Sequence, residues 1–234
     1  HEKRVSIRMV SFDRKKPVES LSEKNARPND PIYLLENTSC PVPFNDKPMF
    51  EPWGEPTTFY IYYGDNQYPV TVKFSYAKEE ARQGYNPGSE PHGQHAKRNV
   101  GVSIVRANRE LDLDPAWSNP SEPRDRWWGV EVDFAPGLDE LFGVTNNKQS
   151  ARHFSELAKV DIEELVRDEG ITLSGKFEEL HADEDPRLPL LEIASHIQKN
   201  INSIRRSIKT QTAGQKRSRY AEGNNVPEAV ATQA

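Results

Sequence analysis

An α+β fold is what this sequence predicts: a mostly antiparallel or mixed sheet, helices on one face, and a helical extension at the C-terminal end. Three observations carry that expectation. Before residue 135 apolar side chains alternate with polar ones at period two in several short runs. From about residue 150 they recur at intervals of three and four, the spacing of a helix face. Clusters of Pro, Gly, Asp and Asn separate the runs. Strands first and helices last is the order of α+β rather than of alternating α/β.

The elements follow in chain order. Val5, Ile7 and Met9 alternate with Ser6 and Arg8, so residues 3–12 read as a half-buried strand. Residues 13–56 are rich in Pro, Asn, Asp and Lys and read as loop, apart from IYLL at 32–35. The stretch 57–77 reads as a hairpin: Val70, Val72, Phe74 and Tyr76 share one face, and Gly64, Asp65 and Asn66 supply the turn. Residues 79–98 read as a polar loop, NVGVSIVRA at 99–107 as a strand, and the Pro- and Asp-rich stretch to about 125 as loop. WWGVEVDF, 127–134, is the last strand, with Trp128, Val130, Val132 and Phe134 on one face. Pro136 opens a short helix over 136–142, since proline suits a first helical turn. Longer helices are expected over 150–168 and 187–210. The five strands are expected in one sheet.

Domain limits follow from the same pattern: an α+β unit over 1–170, a helical extension over 171–212, and a disordered tail over 213–234. In the extension Leu190, Ala194, Ile197, Ile201, Ile204 and Ile208 form a heptad seam. Such a seam fits a helix packed on its own domain, or one that meets a partner helix or a second copy in a homodimer. Lys199, Arg205, Arg206, Lys209, Lys216, Arg217 and Arg219 share a stretch that holds no acid from Ile193 to Ala221. That stretch is either a solvated basic face or a DNA contact through Arg205, Arg206, Lys209, Lys216 and Arg217.

Composition bounds the function. The chain has 234 residues, 35% of them hydrophobic, and a formal charge of −5, which argues against a general polyanion binder. One cysteine, Cys40, allows neither a disulfide framework nor a cysteine metal site and suits a cytoplasmic protein. No apolar run approaches the ~20 residues of a membrane span. The opening HEKRVSIRMV lacks a Met, is already strand-like, and reads as the start of a fragment whose upstream part has been removed. His92 and His95 form an HxxH pair without a third ligand at metal-site spacing, so no metal is expected. Trp53, Trp117, Trp127 and Trp128 with Tyr60, Tyr62 and Tyr63 fit a core better than a sugar-stacking platform. GxSxG, GxGxxG and Walker lysine motifs are missing, and Glu131, Asp133, Asp139 and Glu140 form no recognisable acid/base pair.

Four polar residues in a row, Asn146, Asn147, Lys148 and Gln149, stand between the strand-and-helix unit ending at Phe142 and the helical run that begins near Ala151. This VTNNKQ segment resembles the lysine loop of the GHKL ATPase superfamily, which includes MutL, the gyrase B subunit, the ninety-kilodalton heat-shock chaperone and the MORC proteins. It is most similar to the MORC loop Thr-His-Asn-Lys-Gln, with Asn146 where those proteins carry His. Prokaryotic MORC-like ATP-binding proteins also look similar through GVSIVRANREL, 101–111, and DRWWGVEVDF, 125–134. The likeness spans residues 99–155. It implies a transducer domain with a ribosomal-protein-like fold, which hands a lysine to the γ-phosphate of ATP and magnesium held by an upstream nucleotide-binding domain. On that reading Lys148 is the catalytic and phosphate-sensing residue, with Asn147 and Gln149 as secondary cofactor contacts. The ExxxN helix, DxGxG turn and glycine-rich lid of the upstream domain are not in this chain, so the chain by itself is a non-catalytic part of an ATP hydrolase. The alternative is a stand-alone α+β nucleic-acid or protein adaptor that uses the basic helix.

Overall fold

The computed structural model describes residues 7–147, 149–160, 170, 172–182, 185 and 187–223, with backbone alone at 17–19 and 212–223. The chain folds as α+β. Its strands are β1 Arg8–Asp13, β2 Lys16–Asn25, β3 Phe50–Pro52, β4 Thr57–Tyr63, β5 Asn66–Ala77, β6 Val102–Arg106, β7 Arg109–Asp114 and β8 Trp128–Phe134. Its helices are α1 Glu79–Arg82, α2 Pro91–Arg98, α3 Asp139–Phe142, α4 Arg152–Leu157, α5 Leu173–Ala182 and α6 Leu188–Gly223. Among the described residues no helix is long and apolar enough to cross a membrane.

Six strands make one mixed sheet in the order β3-β5-β8-β6-β7, with β4 pairing β5 beyond the end of β3. All neighbours are antiparallel except β6 and β8, which are parallel. Pleating sends Val70, Val72 and Phe74 of β5 and Val130, Val132 and Phe134 of β8 to one face. These side chains are at most 5% exposed, and α6 packs across both strands. The opposite face carries Lys73, Glu131 and Asp133, with Lys73 Nζ 2.6 Å from Glu131. At the β3 end that second face is covered by residues 30–50: Ser75 donates to the Ile32 carbonyl at 2.7 Å, and Tyr33 packs on Phe50.

The seam of α6 finds its partner at home. Leu190, Ala194, Ile197, Ile201, Ile204 and Ile208 are all 3% exposed or less and belong to the same core cluster as β5, β6 and β8. Burying one isoleucine contributes about 1.5–3 kcal/mol, so the seam stays on the sheet, and through Ile208 nothing of it is left for a second helix. The same burial joins α6 to the α+β unit in one core. The helix also runs to Gly223, past the expected tail boundary at 213, while 224–234 lie outside the described residues.

Other expectations change in detail. Residues 16–25 form a strand rather than loop, and β1 pairs with it in a separate two-stranded sheet instead of joining the main one. Among the described side chains of this hairpin the large apolar ones do not meet the core: Ile7, Met9, Phe12 and Leu21 are all more than half exposed. Residues 3–12 alternate as a half-buried strand would, yet in their described part the apolar side chains Ile7 and Met9 face outward, so the alternation marks a strand and not a buried face. The stretch 79–98 holds α1 and α2, each too short to show a helical period, pinned by buried Ala81, His92 and Ala96. Acid-rich β7 is reached from β6 through Ala107 and Asn108, both at positive φ (50° and 63°), the backbone of a two-residue hairpin turn. The helix expected over 150–168 is seen at Arg152–Leu157; 161–168 lie outside the described residues.

Candidate functional site

The polar loop lies beyond the C-terminal ends of the two parallel strands. β8 ends at Phe134, whose ring stacks on Phe142 at 4.0 Å, and Phe142 in turn packs on Phe154 of α4 at 5.3 Å. β6 ends at Arg106, whose guanidinium holds the Asp139 carboxylate bidentately at 2.5 and 2.8 Å. Asp139 thereby raises the affinity of Arg106 for its proton, and the ends of β6 and α3 are tied together.

Helix α3 stops at Gly143, which takes φ 67°. Its N–H donates to the Glu140 carbonyl at 3.0 Å and that of Val144 to the Asp139 carbonyl at 2.8 Å, a C-terminal cap that favours glycine. A Cβ here would also lie 2.7 Å from the His153 nitrogen, so backbone and packing both select glycine. The loop is then closed at its neck. Val144 bridges Ala151, Thr145 N–H donates to the Ser150 carbonyl at 3.1 Å, and Arg152 N–H donates to the Gly143 carbonyl at 3.0 Å.

Inside the loop the polar side chains bond to one another. Thr145 Oγ1 donates to Asn147 Oδ1 at 2.6 Å, and Asn147 Nδ2 donates to Gln149 Oε1 at 2.8 Å. Asn146, Asn147 and Gln149 are exposed. Lys148 lies outside the described residues. The Asn147 and Gln149 carboxamides thus tie the two described sides of the loop to each other.

Beside the neck lies a cavity of about 470 Å³ lined by Tyr63, Glu140, Leu141, His153, Leu157 and Leu190. Its walls are mainly apolar. Among its polar groups, Tyr63 and Glu140 stand out in the sequence only as one of several aromatics and one of several carboxylates, and His153 does not stand out at all. The Tyr63 hydroxyl bonds Glu140, which pushes its pKa up. His153 Nδ1 donates to the Leu141 carbonyl at 3.1 Å, which fixes the ring beside the neck. The sequence signal for this corner is the Gly143 that ends α3; nothing local points to Tyr63, which comes from β4.

The other candidates resolve by geometry. His92 Nε2 bonds the Ala81 carbonyl at 3.0 Å and His95 bonds Tyr33 and Ser39, so the HxxH pair does not converge. Among the described residues no group of three metal-ligating side chains occurs. His95 Nδ1 faces two donors, the Tyr33 hydroxyl at 2.8 Å and Asn99 Nδ2 at 3.2 Å, and is therefore the acceptor. The Nε2 proton then points at Ser39 Oγ, 3.4 Å away, and His95 cannot act as a base toward that hydroxyl. Burial and the nearby Arg98 charge push the His95 pKa down. Trp117, Trp127 and Trp128 are buried, so they form no sugar-stacking surface.

On α6, Arg205 is drawn inward. Its Nε and Nη2 hold Asp125 at 2.7 and 2.6 Å, and Asp125 is 2% exposed. Arg205 therefore leaves the candidate phosphate contacts. Arg124, on the neighbouring turn, holds the Glu122 carboxyl down to about 2. Arg206 and Lys209 are exposed, and the side chains of Lys216 and Arg217 are outside the described set. Comparison with protein-family models, curated proteins and solved structures gives no match to this chain.

Proposed function

We propose that this chain is the transducer portion of a GHKL-type, MORC-like ATPase, and that its 144–151 loop presents Lys148 to the γ-phosphate of ATP held by an upstream domain. The observation that carries the reading is the closed neck of that loop. Thr145, Asn147 and Gln149 are bonded to one another at the end of a buried parallel strand pair, on a base of three phenylalanine rings. A lysine at the tip of such a loop is a point charge on a stiff mount. Phosphoryl transfer needs that, because the cation must sit where charge develops without reorganising. Two measurements test it together. The coding sequence upstream of His1 should contain ExxxN and DxGxG motifs in order. The chain alone should show no ATP-dependent rise in melting temperature, since only a ligand that binds the native state raises it. An upstream sequence without those motifs, or a saturable shift with ATP and magnesium in this chain alone, defeats the reading.

A second reading, a DNA contact by α6, is favoured by the exposure of Lys199, Arg206 and Lys209 on a helix with no acid between Ile193 and Ala221. Binding to duplex DNA should then weaken with salt by a log–log slope of about −0.9 per neutralised phosphate. Arg206→Gln with Lys209→Gln should flatten that slope by about two units. Arg205→Gln should act through folding instead, because its charge already belongs to Asp125. Absence of binding at low salt rules the contact out.

A further inference from the structure

The two long edges of the six-stranded sheet are built differently. At one edge β7 carries Arg109, Glu110, Asp112 and Asp114, and its pairing with β6 is interrupted by a register shift between Ile104 and Val105. Charges and bulges are the devices that stop an edge strand from pairing with another chain. The other edge is β3 followed by β4. β3 spans three residues and ends in Pro52. β4 has none of these devices: Thr57–Tyr63 reads TTFYIYY, without a charge, a proline or a break in register against β5. Among the described residues no strand pairs with its outer side.

The outward groups follow from the hairpin. Gly64 has φ 58° and, with Asp65, closes a two-residue turn between Tyr63 and Asn66. In such a hairpin Tyr63, Ile61, Phe59 and Thr57 bond to β5, and the N–H and C=O of Thr58, Tyr60 and Tyr62 point away from it. The side chains agree. Pro69, which has no N–H, stands opposite Tyr60, and the Thr58 and Thr71 hydroxyls approach to 3.2 Å, as in a pair without ladder bonds. Tyr60 and Tyr62 are 64% and 77% exposed.

We propose that β4 pairs with β4 of a second copy, antiparallel about a two-fold axis at Tyr60, to continue the sheet across a homodimer. The strand is complementary to itself. The axis puts Tyr60 opposite Tyr60 and Thr58 opposite Tyr62, so tyrosine rings and threonine methyl groups meet with no charge inside the ladder. In a chain of net charge −5 this is a neutral strip on which two copies can approach. The one adverse pairing lies beyond the ladder, where Glu55 of each copy comes opposite Asp65 of the other. Salt screens that repulsion, so the dimer tightens as salt is added. This contact is independent of the role of Lys148 and of the seam on α6.

Sedimentation velocity of the intact chain over a concentration series, at low and high salt, tests the pairing. Two chains are expected to associate, more tightly at high salt, and Tyr60→Lys is expected to return them to one chain, with a melting curve that matches the parent's at dilutions where the parent is also a single chain. Register is tested by oxidation. Tyr60→Cys should give an intermolecular disulfide, because residues directly opposite in such a pair stand within disulfide reach. Tyr62→Cys should not, while Thr58→Cys combined with Tyr62→Cys should. The native Cys40 is buried and does not compete. A chain that stays monomeric at every concentration, a dimer untouched by Tyr60→Lys, or equal crosslinking through positions 60 and 62 overturns the proposal.

Discussion

Asp125→Ala is expected to cost about 3–5 kcal/mol of folding stability, the range for breaking one side of a buried ion pair. Asp125 is 2% exposed and accepts four hydrogen bonds. Two come from Arg205 on α6, one from the Asn119 N–H at 2.6 Å and one from Trp128 Nε1 at 3.0 Å. The alanine leaves a half-buried guanidinium without a counter-charge and an indole N–H without an acceptor, in addition to losing the pair. An exposed salt bridge, by contrast, is worth only about 0–1 kcal/mol. Urea unfolding separates the two cases: the midpoint should fall with little change in slope. Asp125→Leu with Arg205→Leu should recover much of the loss, because replacing both charges removes the penalty of stranding one. A cost below about 1 kcal/mol for the single alanine would mean that the pair behaves as an exposed one.

On the proposed reading, Lys148→Ala is expected to slow ATP hydrolysis by about a hundred- to a thousandfold when this chain is joined to the proposed upstream nucleotide-binding domain, the effect of removing one preorganised electrostatic contact. Affinity for ATP should change less than turnover, because the contact matters most where charge develops during transfer. On that reading Lys148 points away from this domain, so the melting temperature of the variant should stay within about 1 °C of the parent. Lys148→Arg should restore part of the rate: the charge returns, but a planar fork does not occupy the place of a compact ammonium. Asn147→Ala and Gln149→Ala should give smaller losses, through a looser loop, because these carboxamides bond each other. Full turnover in Lys148→Ala would end the assignment of that residue.

Much of the architecture was legible from local pattern. Period two marks β5 and β8 because each packs one face on α6, so the alternation is written into its residues; it marks residues 3–12 as well, where Ile7 and Met9 nevertheless stay exposed. Where the described side chains are exposed, as in β2, or where an edge strand is guarded by acids, as in β7, the pattern is weak and the sequence reads as loop. Helices of four and eight residues, α1 and α2, span too few turns for a period to show. The polar loop was visible because two apolar elements bound it, and Gly143 marks where α3 must end.

By itself the sequence determined the α+β class, the strands that build the core, the apolar seam of α6 and the polar loop between Phe142 and Ala151. Each is a local property: the side chains that define it lie within a few turns or pleats of one another. Tertiary structure alone decided what each meets. The seam packs on the chain's own sheet rather than on a partner helix, because β5 and β8 present a matching apolar face. Arg205, one basic residue among several by composition, becomes an internal anchor because folding brings Asp125 to it across 80 residues of chain. The same folding buries three tryptophans and leaves Tyr60 and Tyr62 outside. Burial and charge pairing are properties of two surfaces at once, and a period read along one strand or helix describes only its own side of the contact.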